Sequence, residues 1–270
     1  HKPSMYFIRI ILGYCVSVIV MFIGPAGSGK SSLVSAYSEW LRNNGYLVKV
    51  VNLDPAADFL PYMPDFDIRK YVSAKKIAIE EGLGPNGALI KAMEKITEKL
   101  DLLINFISDV SKDGVDYILI DTPGQMEVFL FRDISWRLSN SLKRVSKDVY
   151  ALFVIDASIL KRAIDYAFAS LLAIATQLRL DIETVPIVNK IDLVPALEVH
   201  GDFLRDLSII ERELASDSTS YAEMLKDISK ILLMYSKGIE VPKVSAIKGV
   251  GIDELHRLVH ELSCTCGDLT

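Results

Sequence analysis

The stretch from Val16 to Ser32, VSVIVMFIGPAGSGKSS, decides the fold. A β-prone apolar run ends at Ile23 and passes without a spacer into GPAGSGKSS. That loop fits the pattern G-x-x-x-x-G-K-[ST] in the context the pattern requires, after a strand and opening a helix. Its glycines let backbone N–H groups wrap a polyphosphate, and the helix N-terminus adds a favourable dipole. On this reading Gly24, Gly27, Ser28, Gly29, Lys30, Ser31 and Ser32 bind nucleotide. Lys30 reaches the terminal phosphates and Ser31 ligates Mg2+. The loop points to a nucleoside triphosphate.

Outward from this loop, short apolar runs alternate with amphipathic stretches nearly to the end of the chain, the pattern of a parallel sheet covered on both faces. The predicted strands are VSVIVMFI from about 17, YLVKVVNLD ending at Asp54, DYILID ending at Asp121, YALFVID ending at Asp156, VPIVNK from Val185 and VPKVSA from Val241. They are nearly all apolar, as strands buried on both faces should be. Helices are predicted over Lys30–Asn43, Gly87–Ser111, Met126–Lys147, Ser158–Leu180 and Ile252–Leu262. Between Val199 and Lys237 the pattern is helical with no strand, broken at SDSTSY, and reads as a helical insertion that serves as a lid or partner surface. The predicted organisation is one domain over 16–264, preceded by an extension over 1–15 and followed by a flexible tail over 265–270.

The segment MYFIRIILGYCVSVIVMFIG, Met5 to Gly24, is apolar enough to imitate a signal anchor. Arg9 and Gly13 interrupt it, and its last part is the strand required before the phosphate loop. One segment cannot both cross a bilayer and form the central strand of a sheet, so no membrane is expected. HKPS at 1–4 reads as an extraneous remnant. Met5–Tyr14 reads either as an extension of the strand or as an upstream start, because initiation at Met21 would delete the strand.

Half of the 270 residues are hydrophobic, enough for a substantial core, which excludes a disordered or fibrous chain. Thirty Lys plus Arg against 35 Asp plus Glu give a net charge of −5, so no overall positive field recruits nucleic acid. The three cysteines Cys15, Cys264 and Cys266 do not form a disulfide framework, which points to a reducing compartment and a cytoplasmic location. CTCG at the C-terminus is a lone C-x-C, read as free thiols. His256 and His260 in HRLVH share a helix face, but the acidic residue of a zinc-protease motif is missing. They are read as surface or interface residues.

Three further motifs each follow a predicted strand. In DTPGQ, Asp121 is placed to hold Mg2+ and the Gly124 N–H to meet a γ-phosphate, while the neutral amide of Gln125 can orient an attacking water. In NKID, Asp192 can accept from the N1–H and exocyclic amine of guanine, a donor pair that adenine lacks. A carboxylate against adenine N1 would set acceptor against acceptor, which disfavours ATP. Asn189 is expected to brace the loops and the Lys190 stem to lie over the base. In SAIK, the Ala246 N–H is placed to meet guanine O6. The fourth stretch, EEGLGPNGALIKAM from Glu80 to Met93, contains a stiff Gly84-Pro85-Asn86 corner read as a turn.

From about Val16 to Leu262 the chain resembles the GPN-loop GTPases, a family named for a Gly-Pro-Asn tripeptide, here Gly84-Pro85-Asn86. The family belongs to the dimeric, deviant-Walker class of P-loop proteins, and NLDPA at Asn52–Ala56 is similar to the corresponding segment of that class. The resemblance implies an α/β, three-layer P-loop fold with a mostly parallel sheet. It implies a homodimer in which each Asn86 reaches the partner's phosphate site. Asp67, in DIR, is implied as a switch carboxylate near Mg2+, and either Asp54 or Gln125 as the residue that positions water. GTP and GDP are then substrate and product. Eukaryotic relatives are associated with assembly or import of RNA polymerase, which makes that enzyme or its assembly factors a candidate partner. Two purposes fit: a Mg2+-dependent GTPase, or a nucleotide-gated scaffold whose hydrolysis only resets its shape. An ATPase of the same class is disfavoured by NKID.

Overall fold

In a computed structural model of the chain, residues 17–194 and 241–265 are described, together with 223, 224, 227, 228 and 230. The extension before Ser17, most of the expected insertion over 199–237, Cys15, Cys266 and the end of the tail lie outside the described residues.

Six strands form one sheet: β1 Val18–Ile23, β2 Val48–Asn52, β3 Phe66–Asp67, β4 Tyr117–Asp121, β5 Val149–Asp156 and β6 Glu183–Asn189, in the order β3-β2-β4-β1-β5-β6. All pairings are parallel. The eight described helices are α1 Lys30–Asn43, α2 Ala74–Glu81, α3 Pro85–Glu98, α4 Leu100–Lys112, α5 Met126–Leu130, α6 Asp133–Val145, α7 Ala163–Leu180 and α8 Ile252–Thr265. Side chains of β1 alternate between two cores, as the period of a strand requires. Ile19, Met21 and Ile23 pack with Ile77, Leu89, Leu103 and Leu138 of the α2–α6 layer. Val18, Val20 and Phe22 pack with Leu33, Val34 and Tyr37 of α1 and with Leu255 and Val259 of α8. The expected three-layer α/β architecture is the observed one. Among the described residues no helix is long and apolar enough to cross a membrane.

The parallel arrangement brings the C-terminal ends of the strands to one edge, where ligands of open α/β sheets bind. Asn52 is in register with Asp67 on one side and Asp121 on the other, and Asp156 with Asn189. Four differences from the sequence reading arise from local chemistry. The Gly84-Pro85-Asn86 corner is the first turn of α3: Gly84 is the N-cap and Pro85 the first helical residue, a position where its fixed φ fits and its missing N–H is not needed. The helix predicted over 87–111 breaks at Lys99, yet the apolar spacing Ile96, Leu100, Leu103, Ile107 runs straight through the break and hides it. The helix predicted over 126–147 likewise divides after Leu130. The strand expected from Val241 narrows to a single parallel bridge, Val188 to Lys243, because Pro242 has no N–H to continue a ladder. Two-residue β3 was too short to register as a pattern.

Candidate nucleotide site

The loop between β1 and α1 has glycines where a side chain would not fit. Gly24 has φ +155°, and a Cβ there would lie 2.3 Å from the Val154 carbonyl oxygen. Gly29, the N-cap of α1, is left-handed at φ +87°, and its Cβ would lie 2.5 Å from Asn189 Nδ2. Lys30 is buried, and its Nζ donates to the carbonyls of Gly24 at 2.8 Å, Pro25 at 3.0 Å and Gly124 at 3.3 Å. Burial lowers its pKa, and the charges of Asp121, Asp54 and Glu127 only partly restore it. The ammonium is therefore held by three backbone carbonyls and joins the phosphate loop to the DTPGQ turn.

Asp121, at the end of β4, is fully buried, and desolvation pushes its pKa up to about 6 against the opposing pull of Ser31, Tyr62 and Lys30. Its Oδ2 accepts from Tyr62 Oη at 2.7 Å, the short distance of a charge-assisted bond. Burial first, and the charge of Asp121 second, push the Tyr62 phenol far above its ordinary range, so it remains a donor. Among the described residues, Asp121 Oδ1 and Ser28 Oγ are buried without a hydrogen-bond partner. A buried carboxylate oxygen with nothing to accept from is destabilising unless a cation or hydrated ligand meets it. The hard oxygen donors of Ser31 and Asp121, beside a phosphate loop, suit Mg2+, which takes one or two protein oxygens and completes its shell with phosphate and water.

The γ-phosphate side holds internal bonds. The Gly124 N–H, expected to meet phosphate, donates to Asp54 Oδ2 at 3.0 Å, and Asp54 Oδ1 accepts from the Ala56 N–H at 2.9 Å. Gln125 Nε2 donates to Asn86 Oδ1 of the same chain at 3.3 Å, both side chains being exposed. Expected catalytic residues Asn86, Gln125 and Asp54 thus converge around Gly124. Asp67 is placed differently from its expected metal role. Its carboxylate is gripped by Arg69 at 2.7 Å and by Asn52 Nδ2 at 2.9 Å. Partial burial works to raise its pKa, but these bonds outweigh it and hold the carboxyl below its usual range.

The base side is assembled around Asn189. Its Nδ2 donates to Ser28 O at 3.1 Å and Gly29 O at 3.4 Å, while its Oδ1 accepts from the Ala246 N–H at 3.2 Å. One buried amide therefore ties the phosphate loop to SAIK, as expected of a brace. The Ala246 N–H, expected to meet guanine O6, is donated to Asn189 in this structure. Lys190, left-handed at φ 64°, passes its stem over Gly29 and reaches Asp156 Oδ2 at 2.7 Å. Partial burial tends to raise the Asp156 pKa, but Lys190 and Ser158 overcome it and lower it. Asp192 is exposed, and its Oδ1 accepts from the buried Ser245 hydroxyl, which fixes the orientation of the carboxylate.

Comparison with known proteins agrees with this arrangement. A family model described as "Conserved hypothetical ATP binding protein" matches residues 22–265. A GPN-loop GTPase of Pyrococcus abyssi, PAB0955, is 36% identical over 94% of this chain and 100% of its own length. Its crystal structure, titled as a GTPase in apo form, superposes with a TM-score of 0.84, covering 94% of this chain and 100% of that one. The Arabidopsis thaliana GPN-loop GTPase QQT1 is 33% identical over 79% of this chain and 74% of its own. The chain belongs to the GPN-loop GTPase family.

Within that family frame, two residues of this site escaped the sequence. Tyr62 lies in LPYMPDF, a stretch with no periodicity to mark an inward side chain, and it meets Asp121 across 59 positions of sequence. Asn52 was seen only as part of NLDPA, whereas its amide joins Asp67 to the backbone of Asp54. His256, expected at the surface or an interface, is 9% exposed and enclosed by Tyr37, Tyr46, Tyr117 and Trp40 on the α1–α8 face of the sheet. A signal was present: Ile252, Leu255 and Val259 mark the inward face of α8, and His256 lies between them.

Proposed function

We propose that this GPN-loop protein hydrolyses GTP to GDP and phosphate with Mg2+ as cofactor, and that it works as a homodimeric molecular switch. The observation that carries the proposal is the shared brace at Asn189, which holds a phosphate loop and an oriented Asp192 at a fixed separation. The description of the family model names ATP and the relatives' names say GTPase; the NKID carboxylate supports guanine, since it pairs with two donors there and meets an acceptor on adenine.

In this reading the phosphate loop and Lys30 bind the triphosphate, and Ser31 and Asp121 hold the metal ion. Mg2+ supplies charge neutralisation and a template for the phosphate oxygens. Asp67 joins the metal's surroundings only if Arg69 releases it. The chain's own contribution is positioning. Gly124 N–H meets the terminal phosphate once Asp54 leaves it, and Gln125 or Asp54 orients the attacking water. Asn86 is exposed and, on leaving Gln125, reaches a partner's phosphates, and the exposed apolar residues Ile79 and Leu83 nearby in the chain support burial of this surface against a second copy. The contact of Asn86 with Gln125 favours a second reading, in which Asn86 orients the water-positioning amide of its own chain. A larger assembly such as RNA polymerase, reached through the segment over 199–237, is the proposed cellular target, with a scaffold reset by hydrolysis as the alternative purpose.

The test is phosphate release from GTP and from ATP, with Mg2+ and with EDTA. GTP is cleaved only with Mg2+ and ATP is not. Asp192→Asn loses GTP affinity selectively; equal use of ATP and GTP by the unaltered protein refutes the base assignment.

A further inference from the structure

We propose that Tyr62 is a positioning residue for the metal carboxylate: its hydroxyl holds Asp121 Oδ2 so that Oδ1 is presented to Mg2+. The inference rests on the Mg2+ reading given above and deepens it.

Tyr62 is itself held from both sides. The carbonyl of Pro61 accepts from Ser35 Oγ of α1 at 2.9 Å. Beyond Pro64, Asp65 closes onto β2: its N–H donates to Val50 O at 2.8 Å, and its carboxylate accepts from the Val50 N–H at 2.8 Å and from Lys49 at 2.8 Å. Prolines at 61 and 64 restrict the backbone between these anchors. The ring is 9% exposed and packs in the α1 core, so the hydroxyl arrives at Asp121 with little freedom left. A loop built only to cover the sheet has no need to bring a phenol 2.7 Å from a buried carboxylate.

The two oxygens of Asp121 are treated differently. Oδ2 is satisfied by Tyr62, and Oδ1 is buried with no hydrogen-bond partner among the described residues. Removing the hydroxyl lets the carboxylate turn toward the Lys30 ammonium, whose charge already pulls on it and would then compete with the metal for it. Partners of this kind, one bond removed from a metal, typically change metal affinity by about 10- to 100-fold. Tyr62→Phe keeps the ring and its packing while deleting the donor.

The experiment follows release of a fluorescent GDP analogue from the full chain across a Mg2+ titration and in EDTA. For Tyr62→Phe the Mg2+ concentration that half-maximally slows release rises about tenfold or more, while release in EDTA stays within about twofold. Leu60→Ala, which loosens the same loop, lowers the melting temperature and leaves that midpoint in place. An unchanged midpoint in Tyr62→Phe overturns the inference, as does an equal loss of GDP with and without metal, or an equal shift in Leu60→Ala. Release from the unaltered protein that ignores Mg2+ refutes the metal reading itself and the inference with it.

Discussion

Lowering the pH from 7.5 to 5 should weaken the attachment of α8 to the sheet through one residue, His256. Its ring nitrogens lie 3.1 Å from Tyr37 Oη and 3.3 Å from Tyr46 Oη, and its ring centroid is 4.6 Å from that of Trp40. Neutral imidazole offers one donor and one acceptor, so one tyrosine donates to it and the other accepts. Protonation turns both nitrogens into donors and places a charge where water is excluded. Desolvation, with a smaller contribution from His260, lowers the pKa from 6.5 to about 4. Because the folded state resists the proton, the unfolded chain binds more protons between these values. Stability from this residue is therefore complete above pH 6.5 and is lost as pH falls toward 4. The full gap is worth about 3 kcal/mol, and about 2 kcal/mol of it is lost by pH 5.

Asp121 has the opposite sign. Its folded pKa is raised from 3.8 to about 6, so protonation below 6 relieves the buried charge and restores roughly 1 kcal/mol by pH 5. The two effects partly cancel in the unaltered protein, so the useful quantity is a difference. Urea unfolding of the unaltered chain and of His256→Phe, each at pH 7.5 and 5, isolates the histidine while Asp121 is common to both. The stability advantage of the unaltered chain should shrink by about 2 kcal/mol at the lower pH. An advantage that is the same at both pH values refutes the assignment of a buried neutral histidine.

Gly29→Ala should uncouple the two halves of the site: a left-handed alanine costs about 1–2 kcal/mol, and its Cβ displaces Asn189. Calorimetry should show a loss of at least tenfold in affinity for both GDP and GTP analogues; nearly normal GDP binding would deny the brace at Asn189. Asn86→Ala should slow single-turnover GTP hydrolysis by about a hundredfold while sparing affinity. Mixed dimers of Asn86→Ala with Gln125→Ala chains then separate the two readings. Recovery of about half the activity in isolated mixed dimers places both residues in one composite site across the interface, whereas no recovery there places them within one chain.

The phosphate loop was legible because its chemistry is local: a glycine-rich turn and a lysine in nine consecutive positions, Gly24 to Ser32, directly after an apolar strand. The strand-end residues Asp121, Asp156 and Asn189 were legible because each closes an apolar run. Tyr62 was not, since its partner is set by how a proline-bounded loop folds back over α1. The break at Lys99 was hidden because the heptad-like spacing of apolar residues survives it. Ala246 was legible as a loop residue near the base, but the direction of its N–H depends on an amide 57 positions away.

The groups expected to recognise GTP are engaged in bonds within the protein in this structure, and two of the pairings fall on one segment. Lys30 holds carbonyls of Gly24, Pro25 and Gly124; Asp54 holds the Gly124 N–H; Tyr62 holds Asp121. Asp54 and Tyr62 both belong to the connection between β2 and β3, so the γ-phosphate site and the metal site share a support. On the switch reading proposed above, a γ-phosphate takes the Gly124 N–H by displacing a carboxylate, an exchange of one anion for another that requires no new donor. GDP brings no group to that position and leaves Asp54 in place. The difference between the two nucleotides then lies in whether this connection is held at Asp54 or released there. Phe59 and Met63, 80% and 87% exposed, lie on the same connection.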